Sequence, residues 1–305
     1  MPDLTDPGRA TSPNVNRRTF VNLSATATVA GGTLAPALAQ GEVFGRPHPP
    51  LVAENDPAIA TGRPNVTNGS RTLDTYYASP QNAGASTPGI VVVQAIWGVD
   101  AQLRDVVRRF AKEGFIAIAP DLYSGLGAPN GDGKTEIAPF RAAASKLSDD
   151  VVDGDLAAAA AFLRQGAGNA TQKIGVIGFC MGGSIALRQT VDNAKVFQAA
   201  AVFYGKVRYG ASDNDGGAMV PFDFAYADKI GVPLVGSFGA RDTSIRADDV
   251  RALDAKLAAL NKDHDLFVYD DAGHAFFDDT RPSYAPSAAG DAWARTLAWF
   301  RKYLK

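Results

Sequence analysis

The sequence predicts an α/β protein with a mostly parallel central sheet and helices on both of its faces. Three observations carry this. Short apolar runs without polar alternation recur along the chain, the pattern of strands covered on both sides. Segments with apolar residues at helical spacing lie between them, so strand and helix alternate. The composition, 46 % hydrophobic and 20 % charged over 305 residues, is that of a chain able to bury such a sheet.

The elements follow in order. Residues 40–65 hold Pro47, Pro49, Pro50, Pro57 and Pro64 and read as an extended arm on the surface. Residues 66–77 place Asn68-Gly69 between short alternating runs, a hairpin signal. Gly89-Ile90-Val91-Val92-Val93-Gln94 is the first buried strand. Residues 100–113 then set Leu103, Val106, Val107 and Phe110 on one helical face. Residues 115–119 are the next strand, stopped by Pro120. The unit recurs as helix 156–164, strand 173–178 and helix 183–191. Strands at 199–204, 233–236 and 265–269 follow, with helices at 247–260 and 288–303. No linker or repeat divides residues 66–305, which predicts one domain there.

The first 39 residues have a different character. Arg17-Arg18 precedes Phe20-Val21, then a mildly apolar run rich in Ala, Thr and Gly, closing on Ala37-Leu38-Ala39. This reads as a twin-arginine export signal cleaved after Ala39, with the export machinery as a partner and a periplasmic or secreted destination. Gly31, Gly32 and Pro36 argue against a stable membrane span, which wants about 20 strongly apolar residues. A free thiol suits a chain that folds before it meets an oxidising compartment.

Several function classes are disfavoured. A net charge of −2 gives no electrostatic footprint for nucleic acid or an anionic membrane. One cysteine, Cys180, permits no internal disulfide and no cysteine-based metal cluster. The three histidines, His48, His264 and His274, form no zinc motif, so no metal is expected. Neither a Gly-x-Gly-x-x-Gly fingerprint nor a P-loop occurs, so no cofactor is expected.

The chemistry points to Gly178-Phe179-Cys180-Met181-Gly182-Gly183, between a strand and a helix. A nucleophile on such a bend needs small neighbours, because the backbone turns sharply and other chains come close. The bend also sets the sulfur at a helix N-terminus, where the dipole favours a thiolate, and aims the Met181 N–H at a developing oxyanion. A free thiol titrates at about 8.5, so a neighbouring base is needed. Asp242, in Gly239-Ala240-Arg241-Asp242, and His274, in Ala272-Gly273-His274-Ala275-Phe276, follow later strands. Nucleophile, acid, histidine is the order used by α/β-hydrolases. His264, in a polar turn, and His48, in the arm, are expected on the surface.

With these pieces the chain resembles the dienelactone hydrolases over roughly residues 66–305. Their elbow reads Gly-x-Cys-x-Gly-Gly. Further similar stretches are Gln94-x-Ile96-x-Gly98-Val99, Ala119-Pro120-Asp121-Leu122-Tyr123, Val202-Phe203-Tyr204-Gly205 and Asp291-x-Trp293-x-Arg295-Thr296. The resemblance implies an α/β-hydrolase fold and a carboxylic ester or lactone hydrolase working through a Cys180–His274–Asp242 triad and a thioester acyl-enzyme. Ile96 supplies the second oxyanion N–H in that reading. Two positions depart from the family. Ala95 stands where these enzymes carry a glutamate that helps ionise the cysteine, and Asp278 where they carry an arginine for the substrate carboxylate. Arg281 or Arg141 is a candidate replacement cation, and Trp97, Tyr123 and Tyr204 are candidate lining for an apolar pocket. Two alternatives stay open: an exported scaffold that binds a ligand without turning it over, and an acyl transferase or peptidase using the same triad.

Overall fold

The computed structural model describes residues 47–133, 136–165, 173–208 and 224–305. All of them fall within the compact unit Ala39–Lys305. The expected export signal lies outside the described residues.

Eight strands form the main sheet. They are β1 (Ile59–Gly62), β4 (Thr75–Pro80), β5 (Gly89–Val93), β6 (Ile116–Pro120), β7 (Ile174–Phe179), β8 (Ala199–Phe203), β9 (Leu234–Gly239) and β10 (His264–Tyr269). Their spatial order is β1-β4-β6-β5-β7-β8-β9-β10. From β6 to β10 every pairing is parallel; β4 and β1 are antiparallel at one edge. The expected hairpin is present as β2 (Val66–Asn68) and β3 (Arg71–Leu73), paired around Gly69 and Ser70. The arm, expected to lack regular structure, contributes β1, whose Ile59 is buried. Its prolines sit before and after those four residues, so the ladder loses no donor.

Strands β5 to β8 are buried along their whole length because their side chains are apolar on both faces. Ile90 and Val92 face one core, Val91 and Val93 the other. The first core is closed by helices α1 (Ala101–Lys112) and α6 (Pro286–Leu304), where Phe110 meets Trp293 at 4.6 Å and Phe300 at 6.0 Å between ring centres. The second is closed by α3 (Asp149–Gln165), α4 (Met181–Asp192) and α5 (Ala247–Ala259), through Leu156, Leu163, Leu187 and Leu253. Each such fully buried side chain contributes about 1.5–3 kcal/mol relative to exposure. A further short helix, α2 (Ala138–Ala144), covers Trp97 with Phe140.

One polar cluster is buried with the apolar ones. On α1, Asp105 accepts the backbone N–H groups of Leu51 and Val52, both at 2.9 Å. Arg108 donates to the Val52 carbonyl at 2.6 Å and to the Tyr76 hydroxyl at 2.9 Å. Arg109 is held between Asp105, with Nε at 2.8 Å, and Asp279. His48, expected on the surface, donates its backbone N–H to the Asp279 carbonyl at 2.9 Å, with its Nε2 3.6 Å from the carboxylate. Burial raises the Asp279 carboxyl and the Arg109 cation beside it works the other way. The arm's backbone thus finds its partners in charged side chains of α1, which explains why those charges are buried.

The strand order reverses between β5 and β7. After β5 the chain adds β6 on one side, then crosses to add β7 on the other. In an open parallel sheet, the loops leaving such neighbours diverge and open a crevice beyond the carboxyl ends of the strands.

Candidate active site

The triad candidates all follow the carboxyl ends of parallel strands. Cys180 directly follows β7, Asp242 follows β9 and His274 follows β10. Ile96 follows β5, and Tyr204 directly follows β8.

The turn at Cys180 is as tight as the sequence implied. Cys180 sits at φ 55° and ψ −114°, a left-handed conformation uncommon for a residue with a side chain. Such strain persists only where the surroundings enforce it. Here the Cys180 N–H donates to the Phe203 carbonyl at 3.0 Å, and its own carbonyl accepts from Ser184 at 3.2 Å. The neighbouring glycines permit the approach. A Cβ on Gly178 would stand 1.9 Å from the Gly182 carbonyl oxygen, and one on Gly182 would stand 2.4 Å from those of Val93 and Gln94. Met181 is the first residue of α4, so its amide has no carbonyl within the helix to bond.

The imidazole of His274 joins the other two groups. Its Nε2 is 3.1 Å from the Cys180 sulfur, and its Nδ1 is 2.7 Å from Asp242 Oδ2. The other Asp242 oxygen accepts the N–H groups of Ser244 at 2.7 Å and Ile245 at 3.0 Å. Asp242 is buried, which alone would raise its carboxyl; those bonds, with His274 foremost, outweigh burial and hold it below the usual range. For His274, burial works against the charged ring. The Asp242 bond and the sulfur at Nε2 overcome that and push it up to about 10. The ring is thus bonded to a carboxylate on one side and faces sulfur on the other.

Two cavities meet at this pair. One, of about 320 Å³, is lined by Trp97, Asp100, Gln102, Phe179, Asp278 and Arg281 as well as Cys180 and His274. The other, of about 760 Å³, is lined by Arg141, Met181, Ile185, Lys206 and Ile245 and shares Ile96, Ile137, Cys180, Tyr204 and His274 with the first. A third, of about 380 Å³, lies behind Trp97 and Tyr123 and reaches neither the sulfur nor the imidazole.

Trp97 and Tyr204 line the smaller cavity, the Tyr204 ring standing 5.3 Å from His274 in an edge contact. Tyr123 does not line either cavity at Cys180. Its hydroxyl is turned to the Ile96 carbonyl at 3.1 Å and the Met181 sulfur at 3.7 Å, so it braces the two segments expected to donate to an oxyanion. Arg281 is in the smaller cavity, with Nε 2.9 Å from Asp278 and its guanidinium 4.3 Å above the Trp97 ring. Arg141 is in the larger one, at its exposed margin. Ala95 lines the smaller cavity. His264 stands away from the site, with Nδ1 2.7 Å from the Lys262 carbonyl and Nε2 3.3 Å from Asp254.

Two lining residues were not anticipated. Asp100 caps α1 by accepting the Leu103 N–H at 3.0 Å, a role readable from an aspartate just before a helix. Gln102 lies two residues further and also lines the cavity, and nothing in the sequence marks it. Among the described residues no group of three or more His, Cys, Asp or Glu could hold a metal ion, and no helix is long and apolar enough to cross a membrane.

Known proteins match most of the chain. The profile of the dienelactone hydrolase family matches residues 73–304. A Salmonella typhimurium protein named "Putative carboxymethylenebutenolidase" is 35 % identical over 257 residues, covering 84 % of this chain and 92 % of its own length. One of the same name from Methylorubrum extorquens is 33 % identical over 299 residues, covering 96 % and 95 %. The crystal structure of a "Putative Dienelactone Hydrolase" from Klebsiella pneumoniae, 35 % identical, superposes with a TM-score of 0.70 over 81 % of this chain and all of its own.

Proposed function

The chain belongs to the dienelactone hydrolase family, and from that premise we propose that it hydrolyses carboxylic esters or lactones through Cys180, His274 and Asp242. The observation that supports this most is the relay of two short contacts, Asp242 Oδ2 to His274 Nδ1 at 2.7 Å and His274 Nε2 to Cys180 Sγ at 3.1 Å. A carboxylate, an imidazole and a nucleophile in line are the parts that acyl transfer needs.

In this reading the sulfur attacks the carbonyl carbon as thiolate while the proton stays on His274. The carbonyl oxygen becomes an oxyanion and takes the N–H groups of Met181 and Ile96. Collapse of that intermediate breaks the bond to the leaving oxygen, which receives the His274 proton and departs as an alcohol. For a lactone it remains tethered to the acyl group. A thioester is left on Cys180. Water then gives a proton to His274 Nε2 and attacks the thioester, and the thiolate leaves to restore the ion pair. Asp242 holds the ring in the orientation that presents Nε2 throughout. With alanine at position 95, no carboxylate beside the sulfur assists its ionisation, so the ring proton acceptor is His274 alone.

Turnover of p-nitrophenyl acetate by wild type and Cys180→Ala tests this. The proposal requires at least a hundredfold loss in the variant, and equal rates would sink it. Twin-arginine export is part of the same proposal, supported by Arg17-Arg18 and the apolar run after it. Replacing both arginines by lysine should retain the protein in the cytoplasm, as read by fractionation. An unchanged distribution would dispose of it.

A further inference from the structure

The two amides assigned to the oxyanion are aimed by different means. Met181 opens α4, so the elbow at Cys180 sets the direction of its N–H. Ile96 belongs to no helix or strand; it lies in the turn between β5 and α1. Two hydrogen bonds orient it. The Gly98 N–H donates to the Ala95 carbonyl at 3.2 Å, and that carbonyl shares one planar trans peptide with the Ile96 N–H. Closing the turn this way takes a left-handed residue at position 98, where glycine has φ 77°. The next peptide plane begins at the Ile96 carbonyl, which accepts the Tyr123 hydroxyl at 3.1 Å. The planes on both sides of the Ile96 Cα are therefore pinned. The N–H between them has no backbone acceptor among the described residues, and Ile96 lines both cavities at the sulfur.

Tyr123 is itself a fixed post. It is buried, and its own N–H donates to Asp121 Oδ1 at 2.8 Å. The Leu122 N–H before it donates to Gln94 Oε1 at 3.0 Å, which ties the segment after β6 to the end of β5. The ring lies over Gly98, where a Cβ would meet it at 3.5 Å. A hydroxyl has one proton to give, and the Ile96 carbonyl is a better acceptor than the Met181 thioether at 3.7 Å. Burial holds the phenol well above its ordinary pKa, so it stays a donor across the working range. Tyr123 lines neither cavity at Cys180, so its effect on the reaction passes through Ile96.

We propose that Tyr123 and Gly98 are positioning residues that aim the Ile96 N–H at the oxyanion, and so set the rate of acyl transfer without touching substrate. The inference rests on the hydrolase reading above. Without the hydroxyl, the Ile96 carbonyl loses its partner and the residue turns about its own Cα bonds. Removing one oxyanion donor costs about 10²–10³-fold in kcat, and a donor that has lost one of its two pins costs part of that, about 10–100-fold. The sulfur and the imidazole are held by the elbow and by Asp242, so they keep their contact.

Wild type, Tyr123→Phe, Gly98→Ala and the double variant test this, by kcat and KM on p-nitrophenyl acetate and by the rate of Cys180 alkylation with iodoacetamide at pH 7. Alkylation takes place at a saturated carbon and builds no oxyanion, so it reports the sulfur–imidazole pair alone. Tyr123→Phe should lose about 10–100-fold in kcat, with KM and the alkylation rate within threefold of wild type. Gly98→Ala should repeat that pattern. The double variant should lose less than the product of the two, because both act on one N–H. A Tyr123→Phe kcat within threefold of wild type overturns this inference alone. So does a loss matched in alkylation, which marks a general disturbance at the sulfur, or a loss carried by KM. Should Tyr123→Phe prove insoluble, Gly98→Ala decides by the same criteria. Losses that multiply in the double variant overturn the shared N–H. A wild type without esterase activity, or matched by Cys180→Ala, overturns the hydrolase reading and this inference with it.

Discussion

Asp242→Asn removes one charge from the relay without changing its shape, and its effect should depend on the leaving group. In the wild type, His274 moves from an ordinary 6.5 to about 10. At about 1.36 kcal/mol per pH unit, that is a preference for the protonated ring of roughly 5 kcal/mol. A third of the side chain faces solvent, which screens its share, so about 2–3 kcal/mol is the usable figure. Asparagine keeps the Ser244 and Ile245 bonds but offers an amide where the ring needs a carboxylate. Aliphatic esters need the ring proton on the departing alkoxide, whereas p-nitrophenolate leaves unaided. We therefore expect kcat/KM for ethyl butyrate to fall by about a hundredfold or more, and for p-nitrophenyl butyrate by clearly less. The alkaline limb of the ethyl ester profile, set in wild type by loss of the imidazolium proton near pH 10, should move down by at least one pH unit. Equal losses for the two esters, with the limb unmoved, would refute the assignment of that proton to His274.

His274 has a folded pKa above its ordinary value, so its stabilising contribution is complete below about pH 6.5 and disappears as pH rises through about 10. Urea melts from pH 7 to 10.5 should show wild-type stability falling across that window and His274→Gln falling less; parallel curves would contradict the coupling. Asp105→Asn strips the charge from a buried partner of Arg108 and Arg109, a loss of about 3–5 kcal/mol. At this size that lowers the melting temperature by roughly 6–20 °C, and a shift under 2 °C in a thermal scan would show the cluster to be dispensable. Gly178→Ala drives a methyl to within 1.9 Å of a backbone oxygen that no side-chain motion can relieve. Its soluble fraction should retain under one per cent of p-nitrophenyl acetate turnover, and near-normal activity would mean that the bend has slack.

Much of this arrangement is legible in the chain because it is local. Gly178, Cys180, Gly182 and Gly183 announce a bend by composition, and the apolar runs of β5 to β8 announce their burial. Order along the chain then brings Asp242 and His274 to the same end of the sheet. The parts that escaped notice depend on contacts across sequence distance. The strand β1 has only four residues among prolines, and only its pairing with β4 makes it a strand. Asp105, Arg108 and Arg109 look like a solvated helix face until the arm is laid over them. Tyr123 looks like pocket lining, since an aromatic beside an apolar loop commonly is; only the positions of Ile96 and Met181 turn its hydroxyl into a brace. Gln102 carries no signal at all, because lining a cavity is a property of the fold around it.

Asp278 and Asp279 are adjacent, and they serve different masters. The first anchors Arg281 in the wall of the smaller cavity; the second moors the arm through His48 and Arg109. A single peptide link joins them, so the arm's mooring and the wall beside the sulfur share one stretch of backbone.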